Sequence, residues 1–414
     1  MHQAIAAFGL LVMVFIAWLL SSNRRLFPWR IVISGLVLQV VLCQLILGTS
    51  TGQIIFTAIG DFFTQLLSFV DAGCKFVFGD KYTDYYFAFR VLPTIIFFSS
   101  LMSVLYHLGI MQLIVRGLGV VMQWSLKTSG AESLSAAANI FVGQTEAPLV
   151  VLPYLPKMTR SELMAIMIGG FATVAGGVMA AYVGMGISAG HLVTASVISA
   201  PAGLLIAKVM EPETETPETA GNTRHELPRL TTNVIEAATV GASEGLKLAL
   251  NVGAMMIAFL ALIAMFDYFL EATSLKLQNL AGVKDPAGLT FSKACGYLFS
   301  PLAWLMGIEW NECMRSGELL GLKTIANEFV AYQRLSDWQK SADPAMHLSE
   351  RTQAILTFAL CGFSNLASIG IQVGGIGGLV PERRKELSEL GLRAMIGGAL
   401  ACFMTACVAG IVLG

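Results

Sequence analysis

Long apolar runs interrupted by short polar turns dominate this chain. Ala4–Leu20 and Ile31–Leu47 are each long enough to cross a bilayer, which takes about 20 helical residues, and a Ser-Ser-Asn-Arg-Arg turn separates them. Gly52–Val70 is amphipathic, and the stretch up to Ala88 gathers Asp71, Asp80 and Asp84 with several Tyr and Phe, a pattern that predicts a helix in the membrane interface. Val91–Leu113 reads as a third span, Gly245–Leu270 as a long apolar helix, and Ala394–Leu413 as a last one rich in Ala, Gly and Cys. Between the halves, Glu211–Arg229 (EPETETPETAGNTRHELPR) is an acidic, Pro-containing linker.

Two further segments, Ala131–Pro156 and Glu312–Leu335, are apolar enough to enter the bilayer but carry a polar break at the centre: AAANIFVGQTEAPLVVLP and LLGLKTIANEFVAY. Each half is only about 10–14 residues long, which predicts re-entrant helical hairpins rather than spans. A hairpin tip leaves backbone groups without helical partners, so it must face protein or a wet cavity. After the first hairpin comes Gly-Gly-Phe-Ala-Thr-Val-Ala-Gly-Gly (169–177), after the second Cys-Gly-Phe-Ser-Asn-Leu-Ala-Ser-Ile (361–369). Both place a Gly-Phe and then a polar residue at mid-span, where the helix should unwind. Each hairpin is preceded by a short amphipathic segment (Arg116–Ser125; Phe291–Met306), so an internal repeat emerges from order and polarity.

Composition narrows the class. Charged residues make up 13% of the 414 residues against 55% apolar ones, and the net charge is −1; soluble domains carry about 25% charged residues. A cytosolic enzyme, a disordered chain and a nucleic-acid binder are excluded. The basic residues Arg24, Arg25, Arg30, Arg116, Lys127, Lys157, Arg160, Lys208, Arg224, Arg229, Arg383, Arg384 and Lys385 fall on one side if the N-terminus is outside, while Lys284/Asp285 and Glu350/Arg351 give the opposite loops mixed charge. The positive-inside rule then puts both termini in the extracytoplasmic space and makes the two hairpins enter from opposite sides. Inverted repeats with broken helices meeting at the midplane are a feature of secondary transporters. The fold class expected is an all-α polytopic membrane protein. Seven scattered Cys, without a CxxC pair, and dispersed His predict buried small side chains rather than a metal cluster. The Gly clusters at 169–177 and 374–378 read as packing or hinge positions, and the Trp residues as interface anchors.

Glu146, in Gly-Gln-Thr-Glu-Ala-Pro, and Glu328, in Ala-Asn-Glu-Phe, stand where charge is expensive, so a binding site is the default reading; capping of the second half-helices is the structural alternative. Gln144, Thr145, Asn139, Asn365 and Ser368 add neutral donors and acceptors. Carboxylates suit hydroxyl donors and amides suit a heteroaromatic edge. Lys323 is the one basic residue nearby, which favours a neutral, hydroxylated solute over an anion. Carbonyls at an unwound Thr173–Val174 turn, with the Asn139 amide and the Val142 carbonyl, offer a neutral oxygen cage that suits sodium; proton coupling through Glu146 or Glu328 competes with it.

SAAANIFVGQTEAPLVV, ATVAGGVMAAYVGMG, LALNVGAMMIAFLALIA, LKTIANEFVAY and ALCGFSNLASI resemble the concentrative nucleoside transporter family over essentially the whole chain, most closely its sodium-coupled bacterial members. The resemblance implies eight transmembrane helices, two opposed hairpins, a homotrimer in the inner membrane, and import of nucleosides (the uridine, cytidine and adenosine class) by an elevator movement. It implies base contacts at Gln144, Thr145 and Glu146, an apolar wall at Val178, Phe363 flanking the base, and ribose contacts at Glu328, Asn365 and Ser368. Sodium ligands are implied at Asn139, Val142, Thr173 and Val174, with Thr173 standing where Ser is common. Family members that use protons depart from the GQTEAP wording, so its retention points to sodium. The expected organisation is N-terminal scaffold helices over 1–113, a first transport repeat over 114–210, a cytoplasmic linker over 211–235, a scaffold helix and outer loop over 236–290, and a second transport repeat over 291–414. An intramembrane enzyme would need a nucleophile and base that these carboxylates lack; a passive channel would want pore-lining rings and would leave the inverted hairpins unexplained.

Overall fold

A computed structural model describes residues 1–221, 231–281 and 288–413; Arg224, Arg229 and the Lys284/Asp285 pair lie outside the described residues. All regular structure among them is helical. The helices are α1 (His2–Leu19), α2 (Trp29–Leu47), α3 (Ser50–Phe78), α4 (Leu92–His107), α5 (Ile110–Leu126), α6 (Gly130–Ala138), α7 (Arg160–Ala172), α8 (Gly176–Gly184), α9 (Ala189–Met210), α10 (Val234–Leu280), α11 (Phe291–Leu305), α12 (Trp310–Ile325), α13 (Glu328–Lys340), α14 (Glu350–Leu360), α15 (Leu366–Leu379) and α16 (Arg384–Val412).

Several elements differ from the sequence pattern, each for a local reason. The expected span Val91–Leu113 is two helices, because Gly109 takes the left-handed φ of 83° and turns the chain between α4 and α5. The second arm of the first hairpin is not an α-helix but a pair of 3₁₀ turns, Ala147–Val151 and Leu155–Lys157. Pro148, Pro153 and Pro156 remove amide donors there and clash with the carbonyl one turn back, so a continuous α-helix is impossible. By contrast α10 runs for 47 residues, about 70 Å at the rise of a helix, far beyond the roughly 30 Å of a hydrocarbon core.

The two hairpins open onto opposite faces. At one face Glu211, just past α9, binds Arg393 at 2.7 Å and Arg160 at 3.6 Å, the Ser22 amide donates to the Met210 carbonyl at 2.9 Å, and Arg383 donates to the Met158 carbonyl at 2.8 Å. This gathers the α1–α2 turn, the base of the first hairpin, the linker and the start of α16. At the other face Arg351 donates to the carbonyls of Gly307 (2.6 Å), Gly410 (2.8 Å) and Leu413 (3.1 Å), Gln3 donates to that of Ile411 (3.0 Å), and Ser349 binds Glu312 at 2.8 Å. Both termini and the base of the second hairpin therefore share that second face.

Eight helices among the described residues are long and apolar enough to cross a membrane. That set contains α3 and omits α14–α15, whose break leaves pieces of 11 and 14 residues. Contacts reverse the two assignments. The early part of α3 lies at the second face, where Phe56 packs edge-on against His191 at the start of α9 (5.0 Å). Its far end returns to the same face: Asp71 binds Arg90 at 2.9 Å and the Tyr86 hydroxyl donates to the Gly184 carbonyl at the end of α8. Since α3 starts and ends on one face it does not cross, as the amphipathic pattern predicts, and eight spans remain: α1, α2, α4, α7–α8, α9, α10, α14–α15 and α16.

At the centre, α16 packs on α7, α9, α14 and α15, and α7 on α9. α1 lies along α16 and α2 along α9, whereas α10 runs along α4. Small residues make the central packing possible. A Cβ at Gly398 would fall 2.3 Å from the Phe171 Cβ, and one at Gly362 2.7 Å from the Phe171 carbonyl oxygen. All seven Cys are buried thiols without disulfides.

Candidate functional site

Four interruptions of helix meet in the interior. α7 stops where Thr173 turns extended (φ −127°, ψ 170°) and folds its hydroxyl back onto the Gly169 carbonyl at 3.0 Å. α14 stops at Leu360, and the chain restarts at Asn365, whose carboxamide oxygen accepts the Ser368 amide at 2.9 Å as an N-cap. At the tip of the second hairpin Asn327 caps α13 in the same way through the Val330 amide at 2.9 Å. The Phe363 amide donates to the Thr173 carbonyl at 3.2 Å, so the two mid-span breaks touch, and the Gly176 amide donates to the Phe141 carbonyl at 3.0 Å, so the first tip is tied to the first break.

Glu328 opens α13 and is buried. One carboxylate oxygen accepts the Tyr182 hydroxyl of α8 at 2.9 Å and the other accepts the Asn365 amide at 3.1 Å. Two helix N-termini, of α13 and α15, favour the negative charge there. Ser368 is buried one helical step further along α15. Glu328, Asn365 and Ser368, predicted as one group, thus form one group.

At the tip of the first hairpin, Gln144 is buried and accepts the Gln372 amide at 3.0 Å, the same amide that also donates to the Met167 carbonyl at 3.0 Å. Thr145 faces Gly375, where a Cβ would meet its methyl carbon at 2.6 Å. Gln372 lies one turn along α15 from Ser368, about 6 Å in helical rise, which places the Gln144 side and the Glu328 side along one helix. Glu146 is exposed at the tip, its carboxylate folded back over Gly143 on the side of Ala175, next to the first break. Val178 is buried on α8, and Phe363 is half-buried in the second break.

The predicted ion ligands surround the first break. Asn139 is 1% exposed, and neither its carboxamide oxygen nor its nitrogen has a hydrogen-bond partner among the described residues; a Cβ at Gly169 would stand 3.3 Å from that nitrogen. No backbone amide among the described residues reaches the carbonyls of Val142 or Val174. Thr173 is less free than its unwound position suggests, since its hydroxyl is held by Gly169 and its carbonyl by Phe363. A carbonyl keeps a second lone pair, so the set still fits a monovalent cation held by neutral oxygens. No group of three or more His, Cys, Asp or Glu that could hold a metal occurs among the described residues.

Tyr182, Gln372 and the role of Lys323 escaped the sequence. The signal was present for the first two: a Tyr in the small-residue run Ala-Ala-Tyr-Val-Gly and a Gln in Ile-Gln-Val-Gly-Gly are isolated polar groups in membrane helices, which need partners.

Three sequence-family models match the chain: "Na+ dependent nucleoside transporter N-terminus" over residues 8–81, "Nucleoside recognition" over 88–189 and "Na+ dependent nucleoside transporter C-terminus" over 191–410. The chain is 46% identical over 414 residues to an uncharacterized transporter of Haemophilus influenzae, covering 98% of this chain and 97% of that one. It is 44% identical to solute carrier family 28 member 3 of Homo sapiens over 99% of its own length, but spans only 60% of that protein. Among solved structures it is similar to CNTnw in an inward-facing substrate-bound state, with a TM-score of 0.91, 43% identity and coverage of 100% and 98% of the two chains. A substituted CNTnw in an outward-facing state gives a TM-score of 0.90 at 42% identity, again covering 100% and 98%. These relatives are transporters, not enzymes.

Proposed function

The chain belongs to the Na+ dependent nucleoside transporter family, and from that membership we propose that it is a sodium-coupled symporter that imports nucleosides across the inner membrane by an elevator-type movement. The observation that carries the reading is the meeting of both tips and both breaks: Glu328 joined to Tyr182 and Asn365 on one side, and the buried, unpartnered Asn139 amide on the other.

Glu328 accepts ribose hydroxyls, with Asn365 and Ser368 alongside. Gln144, Thr145 and Glu146 read the base edge, Val178 walls it and Phe363 flanks it. That polar set, without a cationic clamp, accepts the uridine, cytidine and adenosine class. Sodium rides as co-substrate on the Asn139 amide and the carbonyls of Val142, Thr173 and Val174. The face carrying Lys157, Arg160 and Arg383 is cytoplasmic by its positive charge, which leaves both termini outside. The moving body comprises the two repeats together with α1 and α2, since those helices pack on α16 and α9; this shifts the border from the one expected at residue 113. The frame is α4 and α10, with the linker over 211–235 joining it to the first repeat, and the exposed apolar faces of the frame assemble a homotrimer.

Uptake of labelled uridine into proteoliposomes tests this directly. Concentrative uptake driven by an inward sodium gradient is expected, and it should collapse when that gradient is dissipated. Downhill flux alone, or uptake that follows a proton gradient instead, overturns the coupling.

A further inference from the structure

At the tip of the first hairpin one side chain fixes the chemistry of another. Gln372 of α15 is fully buried (0% exposed), and its carboxamide nitrogen stands 3.0 Å from the Met167 carbonyl and 3.0 Å from the Gln144 carboxamide. A backbone carbonyl only accepts, so the Gln372 group beside Met167 must be the NH2. That assignment propagates to its neighbour. With an NH2 against it, Gln144 must turn its oxygen towards Gln372, because two facing NH2 groups would both lack an acceptor. The Gln372 oxygen is left buried without a partner among the described residues; the reversed amide would set that oxygen against the Met167 carbonyl, a repulsion in place of a vacancy. Glycine at 170 makes room for the junction, since a Cβ there would fall 2.6 Å from the Gln372 nitrogen and 2.8 Å from the Gln144 Cβ. No hydrogen bond among the described residues engages the Gln144 nitrogen.

We propose that Gln372 is a positioning residue that sets base selectivity: it occupies the Gln144 oxygen, so that Gln144 meets the substrate as a hydrogen-bond donor and the base must offer it an acceptor, a carbonyl oxygen or a bare ring nitrogen. This rests on the reading that Gln144 contacts the base. A glutamine free to turn its carboxamide over reads a carbonyl and an amino group alike. A locked one does not, because an amino group placed against its NH2 leaves two buried donors unpaired, and such a mismatch separates substrates strongly. Uridine and cytidine differ in this way, a carbonyl oxygen in one standing where an amino group stands in the other; inosine and adenosine form the same kind of pair. Gln372 acts through Gln144 and touches no substrate itself. It lies one turn along α15 from Ser368, so the helix that carries the proposed ribose contact also orients the proposed base reader.

The test is sodium-driven uptake of uridine, cytidine, inosine and adenosine by the full-length protein in proteoliposomes. Q372L keeps much of the side-chain volume and removes the lock. Its maximal rates should stay near wild type while the four half-saturations draw together, the spread between best and worst shrinking about fivefold. An unchanged spread, or a uniform rise in all four values, overturns the proposal. Q144E, with Gln372 in place, keeps one oxygen towards Gln372 and sets a second where the NH2 stood. Its uridine half-saturation should lie about tenfold above that of Q144A; a value at or below that of Q144A overturns the donor role. If Q144A itself leaves all four half-saturations at wild-type values, the base-contact reading fails and takes the proposal with it, an outcome distinct from the other two. Should Q372L fail to fold, Q372M, unbranched and of similar length, is read in its place, and the comparison of Q144E with Q144A decides independently of either.

Discussion

α9 and α10 are both strongly apolar membrane helices, yet 89% of the most apolar stretch of α9 is buried in the single chain against 11% of that of α10. Side-chain size separates them. α9 reads AGHLVTASVISAPAGLLIAKVM, rich in Ala, Gly, Ser and Thr, and the centre of α10 reads MMIAFLALIAMFDYFL. In lipid no hydrophobic drive pulls helices together, so close approach of backbones over small residues decides which ones pack. Large apolar residues are content in lipid or against another subunit. Apolarity marks a membrane helix, and the size of its residues marks whether it belongs to the dense interior. Every polar group of the candidate site hangs on the dense side, where a displacement of one element is felt by its neighbours.

That contrast can be attacked in order of effect. Glu328→Gln should be the most damaging to function. The amide loses the negative charge and one of the two oxygens that now accept from Tyr182 and Asn365, so uridine half-saturation should rise about a hundredfold in sodium-driven uptake. An unchanged value for nucleosides bearing both ribose hydroxyls would remove Glu328 from the ribose site. Gly398→Val comes next, because its Cβ would meet the Phe171 Cβ at 2.3 Å and the Phe171 backbone carbon at 3.0 Å. A loss of about 2–3 kcal/mol should appear as early thermal loss of the monodisperse peak in detergent. Asn139→Ala should be milder and selective. It should raise the sodium half-saturation about tenfold while the maximal uptake rate at saturating sodium stays near wild type, which a sodium titration reads. Gly117→Ala, in α5 on the sparse side, should do least. A Cβ at Gly117 would have nothing within 4 Å, so the helix gains about 0.4–1 kcal/mol and the melting temperature rises slightly. If Gly117→Ala cost as much as Gly398→Val, the division into dense and sparse regions would be wrong.

Much of this organisation is legible in the sequence because membrane chemistry punishes polar groups. Glu146, Glu328 and the Asn365 break announce themselves as exceptions within apolar runs. The non-crossing α3 follows from its amphipathic pattern and the charge balance around it. Other features are not local. Tyr182 finds its carboxylate 146 residues away and Gln372 its partner 228 residues away, and no spacing rule connects them. Lys323 reads only as the one basic residue near the tips until the end of α14 is brought beside it. The 3₁₀ arm of the first hairpin was written in its three prolines, whose effect on the second limb a hydrophobicity pattern does not register.

The bond between the Phe363 amide and the Thr173 carbonyl joins the break at the proposed ion site to the break at the proposed nucleoside site. A backbone contact shared by two sites is a physical route by which ligands at them can be coupled. Whatever factor bound nucleoside contributes to the affinity for sodium, bound sodium must contribute to the affinity for nucleoside. Sodium titrated with and without saturating uridine, and uridine titrated with and without saturating sodium, should therefore return one and the same ratio, a number that characterises this joint rather than either ligand.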